Sequence, residues 1–114
     1  MFKIYHNPRC RKSREGLALL EASGQKFEVV HYLEDIPSAQ ELRQLIAYLD
    51  ITPEALVRKS EADWKAHFKG KILSDEAIIN AMVKYPKLIE RPIVVKGNKA
   101  VLGRPPENIA RFLN

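Results

Sequence analysis

The sequence predicts an α/β domain: strand, helix, strand, a block of helices, then a hairpin and a closing helix. Three observations carry this. A β-prone alternation over 2–6 leads into an amphipathic helical pattern and then a second β-prone stretch over 27–32. Gly97-Asn98, flanked by β-prone stretches at 92–96 and 99–102, is a two-residue hairpin signal. Between these halves, about 38–86, helix caps recur and strand alternation does not. A chain of 114 residues can bury its own core without staples, so 1–114 reads as one domain, βαβ then ββα, with a helical insertion.

Each element has its own signal. After the first strand, Asn7-Pro8-Arg9 is a turn, because Pro8 cannot donate to a central ladder. Cys10 opens a helix whose apolar stripe includes Leu17 and Leu20, and Gly24 is its C-cap candidate. A helix between two strands predicts parallel pairing through a right-handed crossover. Pro37 precedes Ser38-Ala39-Gln40-Glu41, a capping box, and Leu42, Leu45, Ile46 and Leu49 follow at helical spacing. Thr52-Pro53 supplies an N-cap with proline at the first helical position for a short helix through Val57. The pattern around Trp64 is ambiguous between helix and loop. Ser74-Asp75-Glu76 caps a helix carrying Ile78, Ile79, Met82 and Val83, and Pro86 ends it. Pro105-Pro106 begins the last helix, with Ile109, Phe112 and Leu113 on one face.

Composition narrows the function. The longest apolar runs, such as Ile93-Val94-Val95, are strand-sized, so no membrane span is expected. The first residues lack the apolar core of a secretory leader. One cysteine excludes an intrachain disulfide, and a lone thiol fits a reducing compartment, so a cytoplasmic address is expected. The formal charge is +5, but the cations are interleaved with acids and no basic stripe or aromatic stacking motif stands out. No nucleic-acid partner is expected. Nothing demands more than a monomer.

Chemistry concentrates at the first strand-to-helix turn. Open α/β sheets bind ligands at the carboxyl ends of their strands. There the turn delivers Cys10 to a helix N-terminus, where unpaired N–H groups and the dipole favour a thiolate and attract an anion. Arg9, Arg11, Lys12 and Arg14 crowd the same turn and push the thiol the same way. Taken by itself, Cys10 is either this nucleophile or a buried, inert packing residue. His6, at the end of the first strand, is a candidate partner for the thiolate or an orienting hydrogen bonder. His31 and His67 have no zinc-ligand spacing with the cysteine, and no metal site is expected. Ser13 occupies the place a second Cys-x-x-Cys thiol would take, which excludes self-contained dithiol chemistry. Gly16 stands where a Cys-x5-Arg phosphatase loop would have arginine. Walker and Gly-x-Gly-x-x-Gly loops are missing, so no nucleotide cofactor is expected. Arg91-Pro92 and Gly103-Arg104-Pro105-Pro106 set two arginines at the outer ends of the hairpin, where they are either oxyanion forks or ordinary surface charges.

Taken together, His6-Asn7-Pro8-Arg9-Cys10, Lys12-Ser13-Arg14, Leu88-Ile89-Glu90-Arg91-Pro92-Ile93-Val94-Val95 and Gly103-Arg104-Pro105-Pro106 resemble the glutaredoxin-coupled arsenate reductase family. The resemblance spans essentially the whole chain. It implies a thioredoxin-like fold with a helical insertion and a cis bond before Pro92. It also implies that Cys10 is a nucleophile forming a covalent thiolate–arsenate adduct, with His6 keeping the thiolate charged and Asn7 and Ser13 lining the loop. Arg58, in Leu56-Val57-Arg58-Lys59, matches the first of three oxyanion-binding arginines, and Arg91 and Arg104 match the others. Glutathione is then the cosubstrate, glutaredoxin the protein partner, and no cofactor is bound. Well-established members follow the cysteine with Gly-Thr-Ser, whereas this chain has Arg11-Lys12-Ser13. Cations at a helix N-terminus are unfavourable by about 0.3–1 kcal/mol each.

Three functions fit this pattern. The first is arsenate reduction in arsenic detoxification. The second is a general glutathione-dependent thiol-disulfide reductase, with the arginines holding glutathione carboxylates. The third is a non-enzymatic regulator like the Spx-type proteins that bind RNA polymerase, many of which carry a Cys-x-x-Cys switch that this chain lacks.

Overall fold

The computed structural model describes residues 1–114. The chain forms two compact units: Met1–Asp35 with Arg91–Asn114, and Ile36–Glu90.

The first unit is a four-stranded sheet in the order β2-β1-β3-β4, made of β1 (Phe2–His6), β2 (Phe27–His31), β3 (Ile93–Lys96) and β4 (Lys99–Leu102). β1 and β2 are parallel, as a helical crossover demands, in a register that sets His6 opposite His31. β3 returns antiparallel to β1 with Tyr5 opposite Ile93, and Gly97 takes the positive φ of 62° that the tight β3–β4 turn requires. This is the βαβ-then-ββα arrangement that the element order predicted, and the thioredoxin-like fold that the family resemblance implied. Alternation in β1 sends Phe2 and Ile4 to the face where Leu20 of α1 (Arg11–Ser23), Val94 and Ile109 of α6 (Glu107–Leu113) complete a buried cluster. Leu17, Phe112 and Leu113 pack around it. Each fully buried aliphatic side chain contributes about 1.5–3 kcal/mol, so this cluster anchors both helices to the sheet. α1 ends on Gly24 at φ 73°, as the C-cap signal indicated.

The second unit is helical, with α2 (Ala39–Leu49), α3 (Pro53–Leu56), α4 (Ala62–His67), α5 (Asp75–Lys84) and a 3-10 turn at Pro86–Leu88. The hydroxyls of Ser38, Thr52 and Ser74 accept the N–H groups of Glu41, Ala55 and Ala77, so all three cap signals are realised. Pro86 follows the end of α5, as predicted, and starts the 3-10 turn. The ambiguous stretch around Trp64 is α4, where Trp64 buries itself against Phe68, ring centroids 5.3 Å apart. Leu42, Leu45, Leu56, Ile78, Met82 and Leu88 are buried in this unit. A β-bridge joins Val57 to Ile89, and Arg43 pairs with Glu76 at 2.8 Å. No helix of the chain is long and apolar enough to cross a membrane.

Candidate active site

Cys10 is the N-cap of α1, with extended backbone at φ −96° and ψ 122°. The turn before it is built by Asn7. Its side-chain oxygen accepts the Arg9 N–H at 3.0 Å, and its carbonyl accepts the Cys10 N–H at 3.0 Å. An Asx turn of this kind fixes the loop with one short side chain. Asn7 is buried, so its contribution is to shape the backbone that presents the thiol.

Ser13 ties strand to helix. It is wholly buried, and its hydroxyl oxygen accepts the Asn7 N–H at 2.9 Å while lying 2.7 Å from His6 Nδ1. Burial lowers the His6 pKa most, the neighbouring His31 lowers it further, and a hydrogen bond at Ser13 works in the opposite direction. The net fall makes His6 a neutral imidazole at neutral pH.

Arg91 and Arg104 reach Cys10 from the outer ends of the β3–β4 hairpin. Arg104 donates from Nη2 to Cys10 Sγ at 3.5 Å and from Nε to the Arg91 carbonyl at 3.0 Å. Asn108 holds the Arg104 loop by donating to the Leu102 and Arg104 carbonyls at 3.1 and 3.3 Å. Arg91 is 8 % exposed and hydrogen-bonds the thiolate. Burial pushes the Cys10 pKa up. The Ser13 backbone N–H, the Arg91 hydrogen bond and the charges of Arg91 and Arg104 together outweigh it, so the thiol titrates below its ordinary range. The Cys10 side chain makes no cap hydrogen bond of ordinary length to α1, so the amide acts on it chiefly as a nearby dipole.

The two arginine loops rest on one packed layer. Arg91–Pro92 and Arg104–Pro105 are both cis, and the Gly103 N–H donates to the Pro92 carbonyl at 2.9 Å. Gly16 and Gly103 both press on Pro92 and Ile109. A Cβ on Gly103 would lie 2.6 Å from Pro92 Cγ and Ile109 Cδ1, and one on Gly16 would lie 2.9 and 2.8 Å from them. At both positions an added Cβ would force Pro92 and Ile109 to shift, and that close approach packs α1, Pro92 and the Arg104 loop together.

The cations next to Cys10 in sequence are directed elsewhere. Arg11 pairs with Glu15 at 3.2 Å and Lys12 with the same carboxylate at 3.8 Å, with side chains 83 % and 45 % exposed. Arg14 donates to the Pro8 carbonyl at 3.0 Å. The expectation that this cluster acts together on the thiol is thus corrected: helical spacing places Arg11 and Lys12 over Glu15, one turn along α1. Arg58 belongs to the helical unit, where its N–H donates to the Leu88 carbonyl at 2.7 Å and its guanidinium lies 3.8 Å from Glu90. No three His, Cys, Asp or Glu side chains converge as a metal-ligand set.

Sequence reasoning overlooked Gly16, Gly103 and Asn108 as supports of the site. Gly16 left a signal, since glycine inside a helical pattern costs about 1 kcal/mol against alanine and points to a packing reason.

A thiol at the first helix N-terminus, two arginines over it and a cis X-Pro bond entering β3 define a thioredoxin-like protein with an oxyanion-suited thiolate. The chain belongs to the ArsC family, whose model matches residues 5–112. It is 50% identical over 113 residues to the uncharacterized protein YfgD of Escherichia coli (strain K12), covering 97% of this chain and 95% of that one. It is 40% identical over 113 residues to an arsenate reductase of Neisseria meningitidis serogroup B, covering 97% of both chains. Among solved structures, the arsenate reductase from Vibrio cholerae is similar at a TM-score of 0.92 and 47% identity, over 96% of this chain and 95% of that one.

Proposed function

We propose that this protein reduces arsenate to arsenite with glutathione and glutaredoxin, through a covalent adduct on Cys10. The observation that carries the reading is the cationic pair at the thiol, Arg104 at 3.5 Å from Sγ and Arg91 hydrogen-bonded to it. Relatives named arsenate reductase, at 40% identity over nearly their full length, support the substrate.

The Cys10 thiolate attacks arsenic(V), forming an S–As bond as one arsenate oxygen leaves as water. Arg91 and Arg104 offset the oxyanion charge, and the resemblance assigns Arg58 the third such role. Neutral His6, held by Ser13, orients the loop, and the proton that turns the leaving oxygen into water comes from solvent. Glutathione thiolate then forms an S–S bond with Cys10. The electron pair of the breaking S–As bond stays on arsenic, which leaves as arsenite. A glutaredoxin thiol opens the mixed disulfide and restores the Cys10 thiolate. Two thiols are oxidised to one disulfide while arsenic takes up two electrons. With one cysteine in the chain, the second thiol must come from outside. The protein works without a bound cofactor, in the cytoplasm and as a monomer.

The test is arsenate-dependent NADPH oxidation in the presence of glutathione, glutaredoxin and glutathione reductase. The reading requires turnover that saturates in arsenate and vanishes in Cys10→Ser. Cys10-dependent reduction of a glutathione mixed disulfide without any arsenate dependence would replace it with a general thiol reductase.

A further inference from the structure

Beside the Cys10 loop lies a cleft of about 200 Å³ at the carboxyl ends of the parallel pair β1 and β2. His6 and Asn7, both buried, form its floor, and Arg9, His31 and Glu34 stand exposed at its rim. Pro8 and Leu33 add apolar surface. Both walls are fixed turns. Asn7 holds Arg9, while the Glu34 and Asp35 N–H groups donate to the His31 carbonyl at 3.0 and 2.8 Å. Floor and rim meet where the His6 and His31 rings lie edge to face at 6.0 Å. Arg9 and Glu34 form no ion pair within the chain.

We propose that this cleft binds the α-amino-acid head of the thiol cosubstrate, the γ-glutamyl end of glutathione. The inference rests on the arsenate-reductase reading for the identity of the thiol, and on the cleft for where that thiol docks. One cation and one anion, each carried on a fixed turn at the rim, suit a zwitterion, its carboxylate toward Arg9 and its ammonium toward Glu34. The volume is below the roughly 300–1,000 Å³ of pockets that enclose whole ligands, so it accommodates one end group and leaves the rest of the ligand outside. Arg9 is bonded to Cys10, and a tripeptide reaches about 10 Å when extended at roughly 3.3–3.6 Å per residue. A glutathione held by its γ-glutamyl end can therefore extend its cysteine along the loop toward Cys10.

Titration of the intact protein with S-methylglutathione, followed by NMR, tests the site without any arsenic chemistry. Shifts at the Arg9, Leu33 and Glu34 amides are expected, with binding about tenfold weaker in Arg9→Gln and in Glu34→Gln, the loss of one charge-assisted contact each. The dipeptide Cys-Gly, which lacks the γ-glutamyl head, should leave those amides unmoved. Two results overturn the proposal: no shift at these amides, or unchanged affinity in both variants. Binding here with no arsenate turnover would contradict the arsenate reading alone, and turnover without binding here would contradict the cleft alone.

Discussion

Four cations lie within a few residues of Cys10 along the chain, and two lie far from it; the distant pair governs the thiol. Arg11 and Lys12 share Glu15 at the solvent-facing side of α1, Arg14 reaches the Pro8 carbonyl, and Arg9 stands at the rim of a separate cleft. Arg104, 94 residues away in sequence, is at 3.5 Å from the sulfur, and Arg91 hydrogen-bonds it. The difference is one of burial. An exposed charge acts through water and is worth little, whereas a charge held beside a half-buried thiolate acts through a lower dielectric. Proximity along the chain is a poor guide to which charges tune a nucleophile.

The largest effect expected from breaking this arrangement is chemical. Arg91→Ala should lower kcat for arsenate reduction by roughly 10²–10³-fold, the scale for losing one preorganised donor at an oxyanion. Arg104→Ala should fall in the same range, and steady-state kinetics in the coupled assay would check both. If either variant kept more than a third of the wild-type kcat, the distant pair would not be the oxyanion clamp.

Next comes the layer that carries these arginines. Gly103→Ala drives a Cβ into Pro92 and Ile109 and should cost about 1–3 kcal/mol in urea unfolding. It should also depress kcat, because Pro92 and the Arg104 loop must shift. Ser13→Ala leaves the Asn7 N–H and His6 Nδ1 without their shared partner and should cost about 1–3 kcal/mol. Its signature is an altered His6 imidazole resonance by NMR, which a simple packing defect would not produce.

The smallest effect should come from the nearby cations. The double variant Arg11→Ala with Lys12→Ala should change stability by no more than about 1 kcal/mol, since exposed pairs contribute about that or less. Thermal unfolding at low and high salt would check this. A loss well above that scale would mean that Glu15 is organising α1 rather than merely collecting solvated charge.

Much of the fold could be read from the chain because its signals are local. Gly24, Ser38, Thr52, Ser74 and Gly97-Asn98 act within a few residues of themselves, and each occupies the cap or turn its chemistry dictates. Around Trp64 the local pattern was indecisive, and α4 is held instead by Trp64 burying its ring against Phe68. The site divides in the same way. Cys10 at a strand-to-helix turn is a local pattern, but its contact with Arg104 depends on β3 returning beside β1 and on the glycine-lined packing under Pro92. Residue patterns alone left Arg91 and Arg104 between oxyanion forks and surface charges; the family resemblance gave them the oxyanion role. Ser13 reads as an ordinary first-turn polar residue until the β1–α1 turn folds it under His6. The Glu15 pairing follows three- and four-residue spacings to Lys12 and Arg11 that the sequence reading passed over in assigning those cations to the thiol.

The pH dependence of stability follows from the thiol. A Cys10 pKa lowered on folding gives a stabilising contribution that is complete above the unfolded thiol value of about 8.5 and disappears as pH falls through the folded one. Cys10→Ser should erase that slope. The most direct measurement of the central claim is the pH profile of Cys10 alkylation by iodoacetamide in wild type, Arg91→Ala, Arg104→Ala and the Arg11→Ala/Lys12→Ala double variant. The midpoint should rise in both single arginine variants and stay at the wild-type value in the double variant. A midpoint that moves in the double variant and holds in the other two would return control of the thiol to its sequence neighbours.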